Sequence, residues 1–115
     1  MVPGDSTVVT VQPDDSLCWN DPHAPGWGAD FVCRIVRLPI TSNGILTVET
    51  LPMADGSRRP LVVQIVTAGQ ILAERLGNPI SLQVTAGAEA VVFVEIASSD
   101  TTKQSFALNS SIRAN

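Results

Sequence analysis

The sequence predicts an all-β protein, an antiparallel β-sandwich of jelly-roll type with about eight strands. Short runs of β-branched and other apolar residues recur at roughly ten-residue intervals, which is the spacing of strands in a sandwich. Nearly every run is bounded by Gly, Pro, Asn or Asp, the residues that form turns. Hydrophobic residues make up 44% of the chain and charged residues 16%, a balance that excludes intrinsic disorder.

Length and charge distribution predict one domain with two unlike parts. The 115 residues fit a single domain, and a chain of this length can bury a core without metal ions or many disulfides. Residues 1–30 contain five aspartates and both tryptophans but no Lys or Arg. We therefore expect one domain over residues 1–115, in which an acidic segment (1–30) packs on a sandwich body (31–112).

The first three predicted strands are each ended by turn residues. The β-branched run over 7–11 is followed by a proline and two aspartates. The run over 31–38 ends at Pro39, which cannot donate to a ladder, and a Ser-Asn-Gly turn at 42–44 leads into the run over 45–51. These last two runs together are predicted to form a hairpin.

The remaining strands follow the same pattern. Leu61–Thr67 is predicted as a strand that is apolar on both faces, and an Ala-Gly turn closes a second hairpin onto a strand over 71–74. A short helix over 70–76 is the alternative, although the glycines at either end leave it too short to be stable alone. Later strands are predicted over 80–85, where apolar and polar residues alternate, over 91–96, and around 106–110.

Three stretches of the chain follow the order seen in a known bacterial family. They are residues 38–48 (LPITSNGILTV), 61–73 (LVVQIVTAGQILA) and 80–96 (ISLQVTAGAEAVVFVEI). In this order of strands and turns, residues 31–112 resemble the pre-peptidase C-terminal domain, a secreted β-sandwich appended to proteases and other extracellular enzymes. The resemblance implies an accessory module that binds a polymer or helps an attached catalytic domain to fold and be secreted.

The chain departs from the family pattern at two places. Arg-Arg-Pro at 58–60 stands where the family usually has an acidic residue before the central strand, and Ala-Glu-Ala at 88–90 replaces the usual Gly-Thr-Tyr group. Because the acidic position is missing, the calcium site of some members is not carried over. The resemblance implies an extracellular or cell-surface location, with a signal peptide that is not part of this fragment.

The chain has two cysteines, Cys18 and Cys33, so a single pairing exists. A disulfide between them would close a loop of about 15 residues and stabilise the fold by ~3 kcal/mol in the loop-entropy model. It would tie the acidic segment to the sandwich, and it suits an extracellular or periplasmic location. The alternative is a pair of buried free thiols.

The acidic segment offers candidate ligands for calcium, which takes six to eight oxygen ligands. The candidates are Asp14, Asp15, Asp21 and Asp30, brought together if the disulfide folds the segment back. No Asp-x-Asp-x-Asp-Gly loop is present, and the alternative is that these side chains form turns. Zinc held by the cysteines and His23 is disfavoured because the chain has no closely spaced Cys pair. No other cofactor is expected.

Trp19 and Trp27 are the candidate ligand-binding residues. Both lie inside the loop that the disulfide would close, and Trp27 is flanked by glycines. Indole faces displayed on loops of a sandwich can stack on the apolar faces of sugar rings. The alternative is that both indoles plug one end of the sandwich, because a chain with three Phe and no Tyr has few other large core side chains.

The residue types favour binding over catalysis. His23 is the single histidine and lies among prolines, while Glu49 and Glu95 fall on strands with no implied cleft. The expected function is that of a non-catalytic extracellular accessory or binding module of a larger secreted bacterial protein, not an enzyme. Its expected partners are a polysaccharide, an extracellular protein or an attached catalytic domain.

A structural or adhesive unit that self-assembles through strand edges is the alternative function. The uncharged strand over 7–11 and the presence of a single lysine, Lys103, leave strand edges poorly protected, so a homo-oligomer is an open alternative. The net charge of −4 and the lack of a basic patch argue against nucleic acid and anionic membranes as partners. The longest apolar run, 90–94, is too short to span a membrane.

Overall fold

Eight antiparallel strands make up most of the described chain. The computed structural model describes residues 3–12, 14–15, 31–52, 61–97 and 103–114. The strands are β1 Ser6–Val11, β2 Phe31–Pro39, β3 Gly44–Pro52, β4 Leu61–Thr67, β5 Gln70–Gly77, β6 Ile80–Val84, β7 Glu89–Ala97 and β8 Gln104–Arg113. Within these segments no helix has the length and apolarity that a membrane crossing requires.

The strands form two four-stranded sheets. Sheet A has the order β1-β8-β3-β6, and sheet B has the order β2-β7-β4-β5. The chain changes sheet at every connection except the β4–β5 hairpin, and the resulting order is that of a jelly roll. The predicted all-β sandwich is therefore confirmed, and residues 70–76 form a strand, as predicted, and not the alternative helix.

The main core lies between the two sheets and is built from alternate residues of each strand. In β6 the burial alternates without exception, and in β3 the buried residues are every second one. Its largest fully buried members include Phe106, Leu38, Leu46, Leu61, Ile96 and Leu108. Because a one-residue slip would expose every one of these side chains in its strand, this core sets the register of the ladders.

Sheet B carries a second buried apolar face, on the side away from sheet A. Cys33, Val62, Val91 and Phe93 form a separate cluster there, with Val66 packed against it. No described strand lies over this face. The central strands β4 and β7 are accordingly near-continuous apolar runs, the pattern of strands buried on both faces.

The predicted hairpin between the runs over 31–38 and 45–51 is wrong. β2 lies in sheet B beside β7, whereas β3 lies in sheet A between β8 and β6. The connection crosses from one sheet to the other, and Ile40 is bonded to the β6–β7 turn: its N–H donates to Ala88 O and its carbonyl accepts from Gly87 N, both at 2.9 Å. Each strand has one strongly apolar face, and placing the strands in opposite sheets buries both faces in the same core.

Asn78 joins the end of β5 in sheet B to β3 in sheet A. Its Oδ1 accepts a hydrogen bond from Thr50 N at 3.1 Å, and its Nδ2 donates to Thr50 O at 3.0 Å. The side-chain amide thus satisfies a backbone N–H and C=O of β3 just beyond the last ladder pair, Val48 with Ile80. This clamp fixes the β5–β6 corner beside the site described next.

Candidate functional site

Strand β5 forms an exposed apolar edge of sheet B. Leu72 is 64% exposed, Leu76 62% and Ile71 43%. β5 is last in the order of its sheet, so among the described strands none pairs with the side that faces away from β4. Aliphatic side chains along an open sheet edge are typical of a surface that another chain covers. We call this strand, together with its backbone N–H and C=O groups that face away from β4, the β5 edge.

A tight turn brings the chain from β4 into the β5 edge. Ala68 has φ 51° and Gly69 has φ 77°, so both central residues are left-handed, as in a type I′ hairpin turn. Thr67 pairs with Gln70 on either side of this turn. Glycine adopts a positive φ without steric cost, whereas Ala68 does not, so the turn is held by the pairing of the two strands.

A β-bulge in the same hairpin sets the direction of Leu72. Ile65 pairs with Ala73 and Val66 pairs with Ile71, so Leu72 has no partner residue in β4. An extra residue of this kind breaks the alternation and re-aims the side chains beside it. Leu72 and Ala73 consequently both line the cleft beside β5.

The cleft has a volume of about 500 Å³ and lies between the β4–β5 hairpin and the turn that joins β6 to β7. Its size is that of a small-ligand or side-chain pocket. Among the residues that the structure describes, the lining consists of Ile65, Thr67, Leu72, Ala73, Gln83, Val84, Thr85, Ala86, Gly87 and Ala88. None of these side chains is charged, so the cleft suits an uncharged, partly aliphatic group.

The turn that joins β6 to β7 forms one rim of the cleft, and hydrogen bonds to residues far away in the sequence hold it in place. Ala86 N donates to the Asn43 side-chain Oδ1 at 2.9 Å, and Gly87 N donates to Ile40 O at 2.9 Å. Gly87 has φ 94°, a conformation that favours glycine at this turn. The rim is therefore positioned by the connection between β2 and β3, more than 40 residues away in the sequence.

Two opposite charges lie next to each other along β5, on different faces. Arg75 pairs with Val63, which points into the core, so Arg75 belongs to the cleft side of the strand. Glu74 belongs to the outer side, where its Oε2 accepts a hydrogen bond from Gln64 Nε2 at 2.7 Å. Arg75 Nη1 donates to the backbone O of Glu74 at 2.9 Å in an exposed contact.

The outer side of β5 continues the second apolar face of sheet B. Leu76 pairs with Val62, a buried member of that cluster, and Ile71 pairs with Val66, which packs against it. The apolar surface therefore extends from the buried centre of the sheet to its exposed edge. A strand added beside β5 would find apolar neighbours on both of its faces.

Most of the residues that the sequence singled out lie outside the described part of the chain. They are Trp19, Trp27, Cys18, Asp21 and Asp30. Their predicted roles in ligand stacking, disulfide formation and calcium binding stay predictions. Cys33 is described: it is buried in β2 within the second apolar cluster of sheet B.

Asp15 closes a turn and forms an ion pair. Its Oδ2 accepts a hydrogen bond from Gln12 N at 2.8 Å, and Arg34 Nε lies 3.1 Å from the same oxygen. Among the described residues no three His, Cys, Asp or Glu side chains form a group that could hold a metal ion. Calcium binding by Asp14 and Asp15 together with Asp21 and Asp30, which lie outside the described residues, stays a prediction.

Glu49 and Glu95 lie on different sheets and do not form a carboxylate pair. Glu49 is on β3, next in the chain to the core residue Val48, and therefore on the outer side of sheet A. Glu95 is on β7, two residues after Phe93, and shares its side of sheet B. The glutamates thus point away from the core on opposite sides of the sandwich.

Sequence reasoning did not single out Leu72, Arg75 and Leu76. It placed a strand at this point of the chain, but it assigned no role to the strand. The available signal was a concentration of large aliphatic residues between two glycine-containing turns. The position of β5 at a sheet edge and the bulge that turns Leu72 depend on long-range pairing, which this local signal does not contain.

Comparison with models of protein families and with curated proteins finds no match for this chain. The resemblance to the pre-peptidase C-terminal domain therefore stays a prediction, and the fold and the β5 edge are the basis for assigning a function.

Proposed function

We propose that this chain is a non-catalytic binding module of a larger secreted bacterial protein and that it contacts an extracellular protein through the β5 edge. The observation that carries the proposal is the exposure of Ile71, Leu72 and Leu76 on an edge strand beside the cleft. An open sheet edge with side-chain pockets next to it is a recurring arrangement for recognising extended chains.

The chemistry of the cleft supports a binding role. Acid–base and nucleophilic catalysis need a titrating or activated group at the reacting atom. The residues that line this cleft supply aliphatic surface, the Thr67 and Thr85 hydroxyls and the Gln83 amide. Such groups orient a neutral ligand by contact and hydrogen bonding.

The same lining favours a protein ligand over a polysaccharide at this site. Sugar rings are commonly held against aromatic side chains, and none of the described residues that line the cleft is aromatic. The predicted stacking residues, Trp19 and Trp27, lie outside the described residues. A polysaccharide is therefore the alternative ligand, and it would bind at the tryptophans and not at β5.

Secretion and a Cys18–Cys33 disulfide are parts of the same proposal. An eight-stranded jelly roll is compatible with a pre-peptidase C-terminal-like module attached to an exported catalytic domain. In unreduced protein made in an oxidising compartment, we expect a proteolytic fragment that joins the peptides of the two cysteines, detected by mass spectrometry. Full alkylation of both cysteines without prior reduction would contradict the disulfide.

The binding proposal is tested by nuclear magnetic resonance with nitrogen-15-labelled protein. Soluble gelatin and elastin peptides serve as protein polymers, and xylan and laminarin serve as polysaccharides. We expect the protein polymers to perturb the amide signals of β5 and of the turn over 85–88. A Leu72→Asp variant should lose the effect, and a matched Val8→Asp variant, at another exposed edge, should keep it.

Two results would contradict this assignment. Perturbation by a polysaccharide of the Trp19 and Trp27 indole signals, with β5 unaffected, would favour a carbohydrate-binding module. No perturbation by any of the four polymers would contradict the binding proposal and favour self-assembly.

Self-assembly through a strand edge is the second candidate function, and β1 is the feature that favours it. β1 is one of the two edge strands of sheet A, and none of its six residues is charged. Val8 is 57% exposed on this strand. Edges of soluble proteins are usually protected by charge, most often lysine, so an uncharged edge favours pairing with a second copy.

The self-assembly alternative predicts a concentration-dependent mass. Size-exclusion chromatography with light scattering would then show dimers or larger species, and Val8→Lys would return the protein to a monomer. Leu72→Lys is the matched control at the β5 edge and would leave a β1-mediated dimer intact. A monomeric wild-type protein at all concentrations would contradict self-assembly.

A further inference from the structure

We infer that the β5 edge takes up a partner segment as an added antiparallel strand and that this segment has the order aliphatic–acidic–basic–aliphatic. The inference rests on the proposed function and names the class of partner, an extended protein segment with this charge pattern. It follows from the side chains that β5 presents on its two faces.

Antiparallel pairing determines which partner residue lies opposite each residue of β5. Directly opposite residues share a face of the sheet, and successive residues alternate between faces. Reading the partner from its N-terminus, four successive residues lie opposite Leu76, Arg75, Glu74 and Ala73 in that order. The side chain favoured at each position of the segment is then determined by the β5 residue directly opposite it.

The first and the last of the four residues of the segment should have aliphatic side chains. The residue opposite Leu76 would cover a side chain that is 62% exposed and borders the buried Val62. The residue opposite Ala73 lies on the cleft side, next to the uncharged wall that contains Leu72. Covering these aliphatic groups removes apolar surface from water on both faces of the sheet.

The second and the third of the four residues should carry opposite charges. An acidic residue opposite Arg75 lies on the cleft side, and a basic residue opposite Glu74 lies on the outer side. Cross-strand pairs of opposite charge stabilise antiparallel sheets, whereas like charges directly opposite destabilise them. Charge complementarity therefore determines which charges the two middle residues of the segment carry and in which order they come.

The other sheet edges do not offer this combination. β1 and β6 contain no charged residue. On β2, Arg34 is paired with Asp15 at 3.1 Å and Arg37 with Glu89 at 2.9 Å. Among the described strands, β5 is thus the edge that combines exposed aliphatic side chains with adjacent opposite charges.

A second copy of the chain does not fit this edge equally well. In a symmetric antiparallel pair of β5 strands, residues of one face meet residues of the same face. Arg75 would then meet the cleft-side residues of the partner, Ala73, Arg75 or Gly77, and would not meet Glu74. Self-pairing through β5 gains no charge complementarity, which is why we assign the edge to a different protein segment.

The test uses two fluorescent peptides of identical composition, Thr-Val-Glu-Lys-Val-Thr and Thr-Val-Lys-Glu-Val-Thr, acetylated and amidated. Binding to the full chain is measured by fluorescence anisotropy, and the site is mapped from nitrogen-15 amide shifts. We expect the Glu-Lys peptide to bind about tenfold more tightly than the Lys-Glu peptide, because two cross-strand charge pairs change from attractive to repulsive. The amide shifts that the Glu-Lys peptide causes in the protein should centre on β5.

Three variants sharpen the test. Arg75→Glu should abolish the preference between the two peptides, because each peptide then makes one attractive and one repulsive pair, and Leu72→Asp should weaken the binding of both peptides. Val8→Asp, at the β1 edge, is the matched control and should change neither affinity. Methylating the backbone nitrogens of both Glu and Lys in the first peptide should lower affinity about tenfold, because at least one N–H of two successive residues faces β5. Well-dispersed spectra of the variants establish that each is folded.

Several outcomes would overturn the inference. They are equal affinity for the two peptides, shifts centred on β1, indifference to backbone methylation, and lack of binding by either peptide. If the peptides fail while gelatin or elastin peptides still perturb the cleft, the proposed binding function survives and only the segment assignment is wrong. If the polymers fail as well, both proposals are wrong.

Discussion

The outer faces of the two sheets differ sharply although the sheets share one core. On sheet A, the outer face is exposed: its aliphatic residues Val8 and Leu51 face water. Small polar residues of the same face bond to each other across strands, with Thr10 Oγ1 2.8 Å from Ser105 Oγ and Thr47 Oγ1 2.9 Å from Ser81 Oγ. On sheet B, the outward residues Val91 and Phe93 are fully buried. One sheet is amphipathic, and the other is apolar on both faces at its centre.

This difference shows how a short chain divides its apolar residues. A sheet that faces water on one side needs an apolar residue only at every second position, whereas a sheet buried on both sides needs a continuous apolar run. β4 and β7 have near-continuous runs, interrupted by the buried Gln64 and Glu95, and β5 carries aliphatic side chains out to the edge of sheet B. The candidate binding site is therefore the exposed margin of the more apolar sheet.

The largest expected effect comes from deleting a large side chain on the outer face of sheet B. Phe93→Ala should lower the free energy of unfolding by about 3–5 kcal/mol, because it removes a fully buried ring and leaves a cavity. Leu51→Ala, on the outer face of sheet A, should cost under about 1 kcal/mol because Leu51 is 38% exposed. Urea denaturation followed by circular dichroism measures both.

The same substitution at two valines, one on the outer face of each sheet, tests this contrast between the outer faces. Val91→Ala in sheet B should cost about 2 kcal/mol, and Val8→Ala in sheet A should cost less than about 0.5 kcal/mol. Equal losses at the two valines would mean that the outer faces are energetically alike, and the comparison between the sheets would not hold.

The next largest effect concerns the clamp between the sheets. Asn78→Ala should destabilise the protein by about 2 kcal/mol, because Thr50 is buried and its backbone N–H and C=O would lose their partners. Amide hydrogen exchange should also show faster exchange at Thr50 than at Val48. An unchanged unfolding midpoint together with unchanged exchange at Thr50 would show that the clamp has no stabilising role.

A smaller, stabilising effect is expected at the hairpin of the β5 edge. Ala68→Asn should raise the free energy of unfolding by about 0.5–1 kcal/mol, because Asn tolerates the left-handed backbone that Ala68 adopts. Thermal unfolding measures the change, and Ala86→Asn in the β6–β7 turn is a control. A loss of stability at position 68 would mean that the turn does not adopt type I′ geometry in solution.

The smallest effect is expected on the polar face of sheet A. Thr47→Val removes an exposed hydroxyl pair and keeps a β-branched side chain, so the free energy of unfolding should change by less than about 0.5 kcal/mol. Urea denaturation again provides the measurement. A loss of more than about 1 kcal/mol would show that the hydroxyl pairs of this face contribute to stability as a network.

Prediction from sequence succeeded for the elements and failed for one pairing. All eight predicted strands are present, because β-branched runs and turn residues act over a few neighbouring positions. The hairpin of β4 and β5 was predicted, since its turn is two residues long. The predicted pairing of β2 with β3 is wrong, because a four-residue connection with turn residues can either reverse the chain within one sheet or cross between two.

The candidate site was much less predictable than the strands. The sequence singled out the tryptophans, cysteines and aspartates, which are chemically distinctive residues, and most of them lie outside the described residues. Leu72 and Leu76 are ordinary in type. What makes them notable is their exposure, which depends on β5 having no neighbour on one side among the described strands.

Local sequence patterns are enough to predict a β-sandwich, because strand propensity, alternation and turn residues are properties that one segment shows without reference to another. Which strands pair, which sheet is apolar on both faces, and which strand is left at an edge become known only from the folded chain. These features depend on contacts between residues far apart in the chain, such as β1 with β8 and β2 with β7. The free energy that selects them comes from burying both apolar faces of sheet B, which no single strand can do alone.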